Sequence, residues 1–84
     1  MVGDRIMFPI TLRELGREPG VFHVYGEYRG MRYYVASEMT ADNAGKRATD
    51  YQQRYERARF YVKDRADSTQ IDGAWNELNA VYTG

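Results

Sequence analysis

Apolar and polar positions alternate over residues 5–12, RIMFPITL, placing Ile6, Phe8, Ile10 and Leu12 on one face. A period of two predicts a strand. Pro9 has no N–H to give to a ladder, so this strand belongs at an edge or a bulge. Thr11-Leu12-Arg13-Glu14 also fits a capping box, a rival reading that starts a helical turn there. Residues 16–20, GREPG, form a turn by composition.

Residues 21–28 and 31–39 predict a hairpin about Arg29-Gly30. A two-residue loop pairs Tyr28 with Met31, Gly26 with Tyr33, Val24 with Val35 and Phe22 with Ser37 on a mostly apolar face. The other face pairs Glu27 with Arg32, Tyr25 with Tyr34, His23 with Ala36 and Val21 with Glu38. An ion pair and an aromatic pair directly opposite each other stabilise an antiparallel register. Glycine at the second loop position suits a type I′ turn, whereas arginine at the first does not. A three-residue loop with a bulge would move the pairing by one.

The period then changes. Thr40 is the expected N-cap, with Asp42 in the first turn. Ala41, Ala44, Ala48, Tyr51, Tyr55, Ala58 and Val62 follow at spacings of 3, 4, 3, 4, 3 and 4, a helical stripe. Its alanines allow close approach to a sheet, and Asp50–Arg54 supports its outer face. The helix is expected over residues 41–59. Continuation to Val62 and a short strand at Phe60-Tyr61-Val62 remain equally open. Thr69-x-x-Asp72 offers a second capping box. It opens a C-terminal amphipathic helix with Ile71, Ala74, Trp75, Leu78, Val81 and Tyr82 on one face and Gly73 as a weak point. The expected fold is a single α+β domain over residues 1–84. A three-stranded antiparallel sheet packs against one long helix, and the C-terminal helix completes the core. Ala44, Ala48, Tyr51, Tyr55 and Ala58 should face Phe22, Val24, Tyr33 and Val35, with Trp75 and Leu78 in the same core.

Composition narrows the chemistry. The chain has 84 residues, no cysteine and one histidine. Disulfides, zinc–thiolate sites and cysteine nucleophiles are excluded. His23 on a hairpin face is read as structural. There is no Walker loop and no dinucleotide fingerprint. No apolar run reaches membrane-spanning length, and the N-terminus lacks a signal-peptide pattern. These readings describe a complete, soluble, cytoplasmic protein, non-enzymatic, with no cofactor and no metal.

Twelve basic and twelve acidic side chains cancel. The cancellation hides a split, since residues 40–65 carry seven bases against four acids and residues 66–84 carry three acids and no base. Without a net field, nucleic acid is the second choice of partner. Ten of the twelve bases are arginine, and eight tyrosines accompany them. Tyr and Arg together are enriched at binding hot spots. The candidate partner-binding surface is His23, Tyr25, Arg32 and Tyr34 on the outer hairpin face, joined by Arg47, Arg54 and Arg57; cover of that face by the first strand's loop or the C-terminal helix is the equal alternative. Lys46 on the same outer helix face could add a contact to a phosphate backbone.

The run from Gly20 to Arg32, GVFHVYGEYRGMR, leading through Thr40 into an alanine-rich helix, resembles the arm-type DNA-binding domain of phage tyrosine recombinases. The resemblance covers about residues 5–59 and implies a three-stranded sheet that enters the major groove, with His23, Tyr25, Arg32 and Tyr34 facing DNA. The chain departs from that pattern in its near-neutral hairpin. In overall character it is similar to small phage and mobile-element accessory proteins, among them anti-CRISPR and anti-restriction inhibitors. The function expected from these readings is a non-catalytic inhibitor that occupies the surface of a larger protein partner, such as a CRISPR or restriction complex. The alternative is a double-stranded DNA-binding domain reading through its sheet. Self-association through the same surface also fits, as does a homodimer formed through the two-helix end.

Overall fold

The computed structural model describes residues 21–64 and 70–84. The expected strand over residues 5–12, the GREPG turn and the Thr69 cap lie outside the described residues. Within them the chain runs β1 (Phe22–Tyr28), β2 (Met31–Glu38), α1 (Ala41–Arg54), β3 (Arg59–Lys63), β4 (Gly73–Ala74) and α2 (Trp75–Thr83). The result is a small α+β architecture with one four-stranded sheet in the order β3-β1-β2-β4. The expectation of three antiparallel strands is corrected: β3 pairs antiparallel with β1, and β4 pairs parallel with β2.

The hairpin forms about Arg29-Gly30, and both loop residues have positive φ, 54° and 80°. That is the two-residue type I′ form, whose twist matches the flanking strands. Near the turn the register is the expected one, with Tyr28 opposite Met31, Glu27 opposite Arg32 and Tyr25 opposite Tyr34. Beyond Tyr25 it shifts, so that Val24 faces Ala36, His23 faces Ser37 and Phe22 faces Glu38. One extra residue on β2 makes a bulge. Its consequence is visible in packing: Val35 and Ala36 are adjacent in sequence, yet both belong to the core beside Ala44.

Helix α1 starts where expected. The Thr40 hydroxyl accepts the Asn43 N–H at 3.1 Å. Asp42 stands in the first turn and Arg54 in the last. It ends five residues earlier than expected, because the next residues have better partners. The Gln52 side chain accepts the Phe60 N–H at 2.9 Å and donates to the Ala58 carbonyl at 2.7 Å. Those backbone groups would otherwise need helical partners. The chain then turns at residues 56–58 and enters β3, which pairs along β1 from Glu27–Arg59 to His23–Lys63. The open question at residues 60–62 resolves as strand.

The second helix is shorter than the sequence indicates, beginning only at Trp75. The Ala74 N–H donates to the Glu77 carboxylate at 2.9 Å. This is the Glu half of a capping box, and alanine cannot supply the other half. Before it, Asp72 pins the chain to β2. Its N–H donates to the Arg32 carbonyl at 2.8 Å, and its carboxylate accepts the Arg32 N–H at 2.9 Å.

Val24, Tyr33, Val35, Ala44, Ala58, Phe60 and Leu78 form the buried centre, with Tyr51, Tyr55 and Trp75 packed against it. Trp75 is only half-buried. Its ring lies 4.8 Å from Tyr51 and 5.0 Å from Tyr55. Leu78 is the deepest residue of α2, at 1% exposure, whereas Val81, expected on the apolar face, is 42% exposed. Gly26 sits where the core is tightest. A Cβ there would lie 2.9 Å from Phe60 and 3.0 Å from Leu78.

Two stability outcomes follow from this packing. Leu78→Ala should lose roughly 3 kcal/mol in urea melts, the usual cost of a fully buried leucine. Gly26→Ala should lose about 1–3 kcal/mol through overpacking, although alanine is the better residue for an ordinary strand. A neutral or stabilising Gly26→Ala result would contradict the close approach of Phe60 and Leu78.

Candidate functional site

The sheet presents two faces, and the sequence assigned residues to them correctly near the turn. His23, Tyr25 and Tyr34 do stand together on the face opposite α1. Ring centroids lie 5.6 Å apart for His23–Tyr34 and 5.9 Å for Tyr25–Tyr34. The His23 Nδ1 and the Tyr34 hydroxyl are 3.3 Å apart. Whether this face is exposed or covered, which the sequence leaves open, resolves as covered. His23 and Tyr25 are fully buried and Tyr34 is 5% exposed. Aromatic side chains of this size bury large areas when packed edge to face, and here they act as core. Arg32, the fourth member, is partly buried, with its guanidinium 5.6 Å from the Tyr25 ring and 5.7 Å from the Tyr61 ring.

Sequence reading missed Tyr61 and its role. In the β1–β3 register Tyr61 lies opposite Tyr25, and Arg59 opposite Glu27. Alternation in RFYVK carried the signal, but only a strand reading of residues 60–62 would have used it. Glu27 collects two hydrogen-bond donors and a further ion-pair partner. Arg59 is at 3.0 Å, the Tyr61 hydroxyl at 3.0 Å and Arg32 at 3.6 Å. Chiefly through the Arg59 hydrogen bond, the Glu27 carboxyl titrates below its ordinary value, desolvation opposing. Burial, with the hydrogen bond to Glu27 second, pushes the Tyr61 hydroxyl up to about 12.

The helix arginines are individually engaged. Arg47 pairs with Glu38 at 3.0 Å, and Arg54 pairs with Asp50 four residues back. Both guanidiniums also lie 5.9 Å from the Tyr51 ring. Both stand on α1, whereas His23, Tyr25 and Tyr34 are buried in the sheet, so the seven candidate residues do not form one exposed surface.

Arg57 belongs elsewhere. It faces an open concavity of about 900 Å³ at the turn end of the sheet, between the hairpin tip, the α1–β3 connection and the segment before β4. Arg29, Arg32, Arg57 and Arg59 line it, with Glu27, Glu56 and Asp72. Arg57 is held from two sides. Its guanidinium lies 4.2 Å from the Tyr82 ring and donates to the Tyr82 carbonyl at 3.2 Å. Its backbone N–H donates to the Tyr82 hydroxyl, also at 3.2 Å. That N–H is the chief cause of a lowered Tyr82 titration, and the Tyr82 contact raises that of Arg57. Arg29 and Arg57 share the Tyr28 ring, at 5.2 Å and 6.0 Å from its centroid.

Among the described residues no group of three or more His, Asp or Glu is placed to hold a metal ion. No helix among them is long and apolar enough to cross a membrane. No family model, curated protein or solved structure matches the chain.

The Glu27 cluster gives a pH dependence of defined sign. A carboxyl whose titration is lowered on folding stabilises the fold above its ordinary value of 4.5. That stabilisation is lost as pH falls through the folded value. Tyr61, raised from 10.0 to about 12, stabilises below pH 10 and loses that contribution between pH 10 and 12. Wild type should therefore lose stability relative to Glu27→Gln on acidification below pH 4.5. Relative to Tyr61→Phe, it should lose stability on alkalinisation above pH 10. Chemical denaturation across pH checks both, and parallel curves would contradict the cluster.

Proposed function

We propose that the chain is a non-catalytic binding module that occupies the surface of a larger protein partner. The observation that carries this reading is the turn-end concavity, where four arginines converge beside Tyr28 and Tyr82. Arginine and tyrosine are the side chains most often found to dominate interface energy. The lining is polar and open to solvent, unlike the enclosed apolar pockets that take small molecules. An inhibitor of a multi-protein defence complex, such as a CRISPR or restriction assembly, is the form of this function suggested by the chain's similarity in kind to phage accessory proteins.

The alternative, a DNA-binding domain reading the major groove through its sheet, has weaker support. Its reading residues would be His23, Tyr25, Arg32 and Tyr34, and three of these are buried. The chain also has no net charge to attract a phosphate backbone.

Affinity capture from host lysate, followed by hydrogen-exchange footprinting of the captured complex, tests the proposal. The expected result is a stoichiometric protein partner that protects residues 28–32 and 56–59. Protection confined to the outer face of α1 would show that the wrong surface was chosen. Absence of any protein partner, with turnover of a small molecule, would sink the non-catalytic reading.

A further inference from the structure

Among the described residues Arg29 has a ring contact and Arg57 ring and backbone contacts, and neither has a carboxylate partner, in contrast to Arg47, Arg54 and Arg59. Both line the turn-end concavity and both lie against the Tyr28 ring. Two unneutralised guanidiniums against one aromatic ring each offer the planar, bidentate donor edge that suits an oxyanion.

Arg29 also occupies a conformation that costs energy. Its φ of 54° is left-handed, at a turn position where asparagine or glycine is the ordinary choice. An arginine held there is strained relative to asparagine or glycine. The turn does not require its side chain, and no ion pair among the described residues offsets the strain. The left-handed backbone fixes where the side chain leaves the hairpin tip, into the same concavity as Arg57, which Tyr82 holds through its hydroxyl, carbonyl and ring. Preorganised donors of this kind lose less entropy on binding.

The concavity's own acids set the kind of anion. Glu27 is taken up by Arg59, Arg32 and Tyr61, and Asp72 by Arg32 and Gln70. Glu56 also lines the concavity. A continuous phosphate backbone crossing the site would meet these carboxylates, and the chain has no net charge to compensate. A compact acidic element, with one or two carboxylates, reaches the two guanidiniums without spanning the site. We infer that the turn-end concavity recognises an acidic segment of the partner protein, its carboxylates bound between Arg29 and Arg57. This deepens the binding-module reading and rests on it.

A short polyglutamate peptide is the probe, with polyglutamine as its neutral control and a mixed-sequence DNA duplex as a separate arm. Binding is followed by NMR through the arginine Nε–H resonances. The full chain is compared with Arg29→Asn, Arg57→Gln and Lys63→Gln. Asparagine tolerates the left-handed turn, so Arg29→Asn should fold at least as stably as wild type, which a melt verifies. Polyglutamate should move the Arg29 and Arg57 signals, polyglutamine should not, and each arginine substitution should weaken binding about tenfold. Lys63→Gln, on the far end of β3, should leave the affinity within about twofold. Unmoved arginine signals, or equal losses in all three variants, would overturn the inference. Tighter binding of the duplex with a steep salt dependence would overturn it in favour of nucleic acid. Polyglutamate binding at this site with no captured protein would leave the chemistry standing and remove the binding-module reading. A captured partner footprinted elsewhere would do the reverse.

Discussion

Burial of the central strand on both of its faces constrains everything else in this small chain. Strand β1 pairs with β2 on one side and β3 on the other, and its consecutive residues Val24 and Tyr25 are both fully buried. Val24 meets the helices through the Ala44 and Leu78 core, while Tyr25 packs among His23, Tyr34 and Tyr61. A domain of this length has little apolar surface to spare and is stable by only a few kcal/mol. Using the aromatic residues of the second face as core leaves them unavailable as a recognition surface. Polar chemistry is therefore pushed to the end of the sheet, where the hairpin turns and the strands run out.

The parts of this architecture that are set locally were readable along the chain. The Arg29-Gly30 turn, the Tyr25–Tyr34 and Glu27–Arg32 pairs, the Thr40 cap and the Ala44-Ala48-Tyr51-Tyr55 stripe each depend on neighbours a few residues away. The bulge at Val35 has no such local mark, because Val24 can pair sensibly with either Val35 or Ala36. Strand β3 was ambiguous for a related reason. Ala58 and Val62 fall in phase with the helical stripe, and only the long-range pairing with β1 and the Gln52 bridge decide against a longer helix. Two-residue β4 carries no periodicity at all; Asp72, forty residues from Arg32, places it.

The candidate site shows the same division. Grouping His23, Tyr25, Arg32 and Tyr34 required only the period of a strand, and the structure does group them. Their burial depends on what packs on the sheet, which alternation cannot state when both faces are apolar or aromatic. Arg57 was legible as an arginine in an Arg- and Tyr-rich chain, but its neighbours were not. Tyr82, Tyr28 and Arg29 come to it from the far helix and the hairpin tip, twenty-five residues and more away in sequence. Charge balance is likewise local in effect: the chain's neutral sum coexists with Arg47 and Arg54 paired to carboxylates at α1, and with Arg29 and Arg57 that have no carboxylate partner among the described residues.

Hydroxyl-radical footprinting of the native chain tests the two-sided burial most directly, because it reads side-chain exposure residue by residue. The account predicts that His23, Tyr25 and Tyr34 are modified at rates near those of Leu78. Met31 and Met39, at 48% and 72% exposure, should be modified rapidly. Modification of Tyr25 and Tyr34 as fast as the two methionines would contradict it, and would return the hairpin face to candidacy as the recognition surface.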